Sequence, residues 1–98
     1  MNIEKTLNGT ELTVTVAGRL DTTTAPLLED EFKQSLGGIE KLVLDFTALE
    51  YLSSAGLRVL LGAQKIMNRQ GEMIVKNIND TIKEIFEVTG FIDILTVE

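Results

Sequence analysis

Residues Leu12 to Ala17, Leu-Thr-Val-Thr-Val-Ala, alternate strictly between apolar and polar or small side chains. That is the two-residue period of a half-buried strand, and its β-branched content fits a pleated surface. Ten residues later the period changes. Leu28, Phe32 and Leu36 recur at i, i+4 and i+8, one buried stripe of a helix. A chain whose period switches between these two values must pack helices against a sheet. With 98 residues, it does so once, as one domain over residues 1–98.

The rest of the chain follows the same switching. Ile3 to Leu7 reads as a weaker strand, and Asn8-Gly9 before Leu12 is a hairpin turn signal. Gly18 is expected to end the second strand. Asp21-Thr22-Thr23-Thr24-Ala25-Pro26 reads as a loop running into a helix, with Pro26 in its first turn and Gly37-Gly38 after its last. Lys41 to Phe46 holds the apolar run Leu-Val-Leu of a buried strand, and Thr47 to Leu52 reads as a loop. Ser53-Ser54 opens a second helix, whose apolar residues between Leu57 and Met67 cover a wide arc. Arg58, Lys65 and Arg69 fall together on its solvated side. Met73-Ile74-Val75 is a further buried strand. Asn79 or Asp80 caps a third helix with the stripe Ile82, Ile85 and Phe86, closed by Gly90, and a short strand is expected within Ile92 to Val97. The expected fold is therefore α/β: an N-terminal hairpin, then alternating helices and mainly parallel strands in one mixed sheet. Functional residues in such sheets collect beyond the C-terminal strand ends, which selects the loops Arg19–Ala25 and Thr47–Ser54.

Composition removes most chemistry from those loops. There is no cysteine and no histidine. That excludes disulfides, thiol catalysis, thiolate or imidazole metal sites, and a Ser-His-Asp triad. No cofactor is expected. Nine Lys and Arg stand against fifteen Asp and Glu, a net charge of −6. No Lys/Arg cluster appears in the sequence, which argues against nucleic acid. No run is long and apolar enough to span a bilayer, and the first residues lack the features of a signal peptide, so the expected location is cytoplasmic.

Four acids and hydroxyls remain. Ser53 and Ser54 sit at a helix start, where serine is a preferred cap and where a phosphate is also tolerated. One can cap while the other is modified. Asp21 follows a strand end, as a turn acid or as a carboxylate offered to a partner. Asp45 ends a strand, as a turn-capping acid or as a phosphoryl acceptor of the receiver type. Receivers need an acidic pair after the first strand, and Asn8-Gly9 occupies that place here.

Leu42-Val43-Leu44-Asp45-Phe46 followed by Tyr51-Leu52-Ser53-Ser54-Ala55-Gly56-Leu57-Arg58-Val59-Leu60-Leu61 resembles the core of the STAS domain family, and within it the bacterial anti-sigma factor antagonists. Gly18-Arg19-Leu20-Asp21 is similar to that family's second marker. The resemblance implies partner switching. The unphosphorylated antagonist binds an anti-sigma factor that is also a serine kinase, releasing the sigma factor. The kinase then phosphorylates the antagonist, and a PP2C-type phosphatase resets it. Laid on the family's acceptor pattern, Asp-Ser-Ser/Thr-Gly, Ser54 takes the acceptor position and Gly56 the glycine. Ser53 stands where the family has aspartate and Ala55 where it has a second hydroxyl, which leaves Ser53 as an alternative acceptor. Asp21 matches the partner-contacting aspartate, and Asp21, Thr22, Ser53, Ser54, Gly56 and Arg58 are the expected partner-binding residues. A STAS module of a stressosome-like or transport-associated complex is the milder alternative.

Overall fold

In the computed structural model, which describes residues 1–98, the elements are β1 Asn2–Asn8, β2 Glu11–Leu20, α1 Ala25–Ser35, β3 Lys41–Asp45, β4 Leu49–Leu52, α2 Ser54–Gln70, β5 Glu72–Lys76, α3 Asp80–Thr89, α4 Phe91–Ile94 and β6 Thr96–Val97. The sheet runs β1-β2-β3-β5-β6, with β4 also paired to β2. Only β1 and β2 are antiparallel. The expected mixed α/β sheet is present. Its hairpin closes through Gly9-Thr10, one residue later than Asn8-Gly9, because Asn8 still pairs with Glu11.

The alternation in β2 works as its pattern requires. Leu12, Val14 and Val16 are buried and join Leu42, Leu44, Met73 and Val75 in one core. Leu28 and Phe32 of α1, Leu60 and Met67 of α2, and Ile82 and Phe86 of α3 close over it. Burying such a side chain contributes roughly 1.5–3 kcal/mol. Thr13 and Thr15 point to the opposite face and are half-buried.

Two expectations are corrected. Gly18 does not end β2. It takes φ +94°, a conformation open to glycine, and the register to β4 shifts between Gly18 and Arg19. The strand passes through this bulge to Leu20, and the Gly18 amide still bonds to the Ala48 carbonyl at 2.9 Å. The segment Thr47 to Leu52 is not all loop either: Leu49 to Leu52 is β4, with Leu49 and Leu52 buried and Glu50 and Tyr51 exposed. β2 thus carries β3 along Glu11–Thr15 and β4 along Gly18–Leu20. A short helix, α4, also precedes the last strand.

Asp45 holds the turn between β3 and β4. Its Oδ1 accepts from the Thr47 amide at 3.0 Å, the Thr47 hydroxyl at 2.6 Å and the Asn77 side-chain amide at 3.1 Å. The Thr47 hydroxyl and then Asn77 hold the Asp45 carboxyl below its ordinary value of 3.8, against an opposing effect of burial. A carboxylate favoured in the folded state contributes stability above its unfolded pKa and loses it as pH falls through the lower folded value. The stability difference between the native protein and Asp45→Ala should therefore be constant above about pH 5 and shrink as pH falls below about 3.8. Urea unfolding of both proteins at pH 7, 5 and 3 checks this; a difference unchanged at pH 3 contradicts it.

α2 is seated on the sheet at Gly56. A Cβ there would lie 2.6 Å from Leu52 Cδ1 and 2.8 Å from Leu20 Cγ, inside contact distance of both strand ends. Gly56→Val should cost about 3 kcal/mol through this overlap, which outweighs the small gain in helix propensity over glycine. In a domain of this size, thermal unfolding should drop by more than about 10 °C.

Candidate functional site

The parallel pairing of β2 with β4 sets Arg19 beside Tyr51 and Leu20 beside Leu52. One further bond extends the ladder, from the Ser53 amide to the Leu20 carbonyl at 2.9 Å. The two chains then leave the sheet side by side, one as Asp21 and the other as Ser53-Ser54. Asp21, Thr22, Ser53, Ser54 and Arg58 are thereby collected at one edge, from two loops that are thirty residues apart in sequence.

Asp21 is built into a reciprocal turn. Its Oδ1 accepts from the Thr23 amide at 3.0 Å, the Thr23 hydroxyl at 2.8 Å and the Thr24 amide at 3.2 Å. Thr24 Oγ1 accepts from the Asp21 amide at 2.8 Å and donates to the Arg19 carbonyl at 2.8 Å. This is capping-box logic ahead of α1. The Thr23 hydroxyl is the largest influence holding the Asp21 carboxyl below its ordinary value; desolvation opposes it, and the Thr24 and Thr23 amides add to it. Asp21 is ionised at neutral pH.

The two serines have different surroundings. Ser53 is the N-cap of α2, half-buried, and its hydroxyl accepts from the Gly56 amide at 3.4 Å. Ser54 is the first helical residue, is exposed, and its hydroxyl has no hydrogen-bond partner. The first turn of a helix leaves N–H groups unsatisfied, so Ser54 stands where anions are favoured. One turn further along α2, Arg58 is exposed and forms no ion pair. It lines a cavity of about 250 Å³ between the starts of α1 and α2, with Thr22, Pro26 and Glu29. Gly56 differs from the expectation that it meets a partner: it is buried against Leu20 and Leu52 and offers no surface. No three acidic side chains converge as metal ligands.

Arg19 and Tyr51 were not anticipated as part of this site. The Arg19 guanidinium lies 4.4 Å from the Tyr51 ring centroid, a cation–π contact of about 0.5–1 kcal/mol at an exposed position. Its Nε is 3.7 Å from Asp21 Oδ2. The pair depends on the β2–β4 register, so only recognition of β4 as a strand would have revealed it in the sequence.

The STAS domain family model matches residues 2–98. An anti-sigma-B factor antagonist of Listeria monocytogenes is 37% identical over 86 residues, covering 85% of this chain and 75% of the relative. An anti-sigma factor antagonist from Mycobacterium paratuberculosis superposes with a TM-score of 0.89 at 23% identity, over 98% of this chain and 83% of that one. The Bacillus cell fate determinant SpoIIAA in its phosphorylated form superposes with a TM-score of 0.77 at 16% identity, over 99% and 91%. The match over residues 2–98 and the 37% identity to the Listeria relative place this chain in the STAS domain family.

Proposed function

We propose that the chain is an anti-sigma factor antagonist that works by partner switching, as a cytoplasmic regulatory protein without catalysis of its own. Unphosphorylated, it binds an anti-sigma factor that is also a serine kinase and so frees the sigma factor. Phosphate on Ser54 ends that binding, and a PP2C-type phosphatase restores it. The observation that carries this reading is the exposed, unbonded Ser54 hydroxyl at a helix start, beside the strand end that carries the ionised Asp21. The antagonist activity of the Listeria relative supports it.

The geometry favours Ser54 over Ser53 as acceptor. Ser53 is half-buried and its hydroxyl is engaged as the α2 cap. Modifying it would remove that cap, at a cost of about 1 kcal/mol. Phosphate on Ser54 costs no existing bond. It brings roughly −1.5 to −2 charges and three acceptor oxygens. In the free protein the helix N-terminus accommodates it, by about 0.3–1 kcal/mol. Against a packed partner the same group meets desolvation and like charge from Asp21, at several kcal/mol.

Incubation with the cognate kinase and ATP should place one phosphate on Ser54, and Ser54→Ala should abolish it. Phosphopeptide mapping decides the matter, and phosphate confined to Ser53 would refute the assignment.

The switch should also be local. Amide shifts on phosphorylation should stay within Arg19–Thr24 and Tyr51–Arg58, while affinity for the anti-sigma factor falls at least tenfold. Shift changes spread through β5 and α3 would contradict a local mechanism.

The Asp21 charge can be separated from its structural bonds. Asp21→Asn keeps an acceptor for Thr23 and Thr24 but removes the charge, whereas Asp21→Lys removes both. Asp21→Asn should weaken partner binding by about 1–3 kcal/mol, near tenfold or more, with little change in thermal stability. Titration calorimetry giving unchanged affinity would remove Asp21 from the interface.

A further inference from the structure

α2 is the one long helix here, and its charge is unlike that of the chain around it. The protein carries −6 overall, yet Ser54–Gln70 contains Arg58, Lys65 and Arg69 and no carboxylate. At about 100° and 1.5 Å per residue, these three cations fall within about 20° of one line and span about 16 Å. All three are exposed. None forms an ion pair: the pairs of the structure join Lys5 to Glu31, Arg19 to Asp21, Lys33 to Glu29, and Lys41 to Glu11 and Glu72. Glu29 lines the same cavity as Arg58 but its partner is Lys33, at 3.7 Å. An uncompensated basic line on an acidic protein raises the local potential for an acidic surface and for nothing on its own chain. The line is also continuous with the site, since Ser54 lies one turn before Arg58 and about 40° from it around the helix.

We propose that the α2 line Arg58–Lys65–Arg69 is the surface on which an acidic face of the partner kinase docks; the proposal rests on the partner-switching reading. Three cations on an acidic protein are fewer than the four to eight that electrostatic membrane attachment uses, which favours a protein partner over a lipid surface. The arrangement also gives phosphorylation a second effect. A phosphate of −1.5 to −2 at Ser54 stands at the head of the line, within reach of Arg58 one turn away. It offsets half to two thirds of the positive charge that attracts the partner.

The test measures association rates of the unmodified protein with its cognate anti-sigma factor kinase, by stopped flow, at 0.05 M and 0.5 M salt. Lys65→Glu is compared with Lys83→Glu, which makes the same change in net charge on α3. Lys65→Gln serves if the charge reversal lowers thermal stability. Lys65→Glu should slow association about tenfold at low salt, Lys83→Glu less than threefold, and the gap should close at high salt. Equal effects of the two variants, with the native protein binding normally, would overturn the docking surface and leave the partner-switching reading standing. Failure of the native protein to bind the kinase would overturn that reading and this proposal with it. Sedimentation of the native protein, but not of Lys65→Glu, with phosphatidylglycerol vesicles would overturn it in favour of a lipid surface.

Discussion

The site depends on β2 being long enough to pair with two strands in succession. Its first five residues carry β3 and its last three carry β4. The ladder does not stop at Leu52, because the Ser53 amide still bonds to the Leu20 carbonyl. This single bond ties Ser53, the first residue beyond β4, to Leu20, the last residue of β2. The chain then needs only short segments, Asp21–Thr24 on one side and Ser53 on the other, before each helix begins. Short connections with satisfied backbone groups leave little freedom, so the spacing of Asp21 and Ser54 is set by the sheet. The bulge at Gly18 belongs to the same device. It shifts the register so that β4 meets the far end of β2, where helices on the core face still cover Leu20, Leu49 and Leu52.

The edge that results has two electrostatic halves. On the α1 side, Asp21 is held ionised by hydroxyl and amide donors, with the Arg19 guanidinium between it and the Tyr51 ring. That ion pair is long and Arg19 is 61% exposed, so it contributes little to stability. Its role is positional: the ring limits where the guanidinium goes, and the guanidinium in turn faces the carboxylate. On the α2 side stand a free hydroxyl and an unpaired arginine. In the proposed complex, a partner at this edge would meet charges of opposite sign about Ser54, which would fix one orientation of docking more than add affinity.

Much of this was legible in the sequence because it rests on local patterns. The stripe Leu28, Phe32 and Leu36 became two core residues of α1 and its buried C-cap. The alternation in β2 named its buried face correctly. What the sequence did not disclose arises from pairing at a distance. Leu-Glu-Tyr-Leu shows no strict alternation and is too short to declare a strand. It becomes one because β2 offers free backbone groups beyond the bulge. The Arg19–Tyr51 contact follows from that register and was invisible for the same reason. Spacing to Gly56, laid on the family pattern, selected Ser54 as the acceptor and kept Ser53 as the alternative. Cap geometry separates them, since one hydroxyl turns back to the Gly56 amide and the other does not.

That separation bears on how a switch can work without a moving part. A cap serine and an acceptor serine in one residue would couple modification to helix stability, because each phosphorylation would break the bond that starts the helix. With Ser54 as the proposed acceptor, the two duties are divided between neighbours. Ser53 keeps α2 started, and Gly56 keeps it pressed on Leu20 and Leu52, whatever happens at Ser54. The free energy of a phosphate at Ser54 is then small in the isolated domain, of the order of a dipole interaction. In the proposed complex it would be large, through desolvation and like charge from Asp21. The difference between these two states, and not either one alone, is what a change of partner requires.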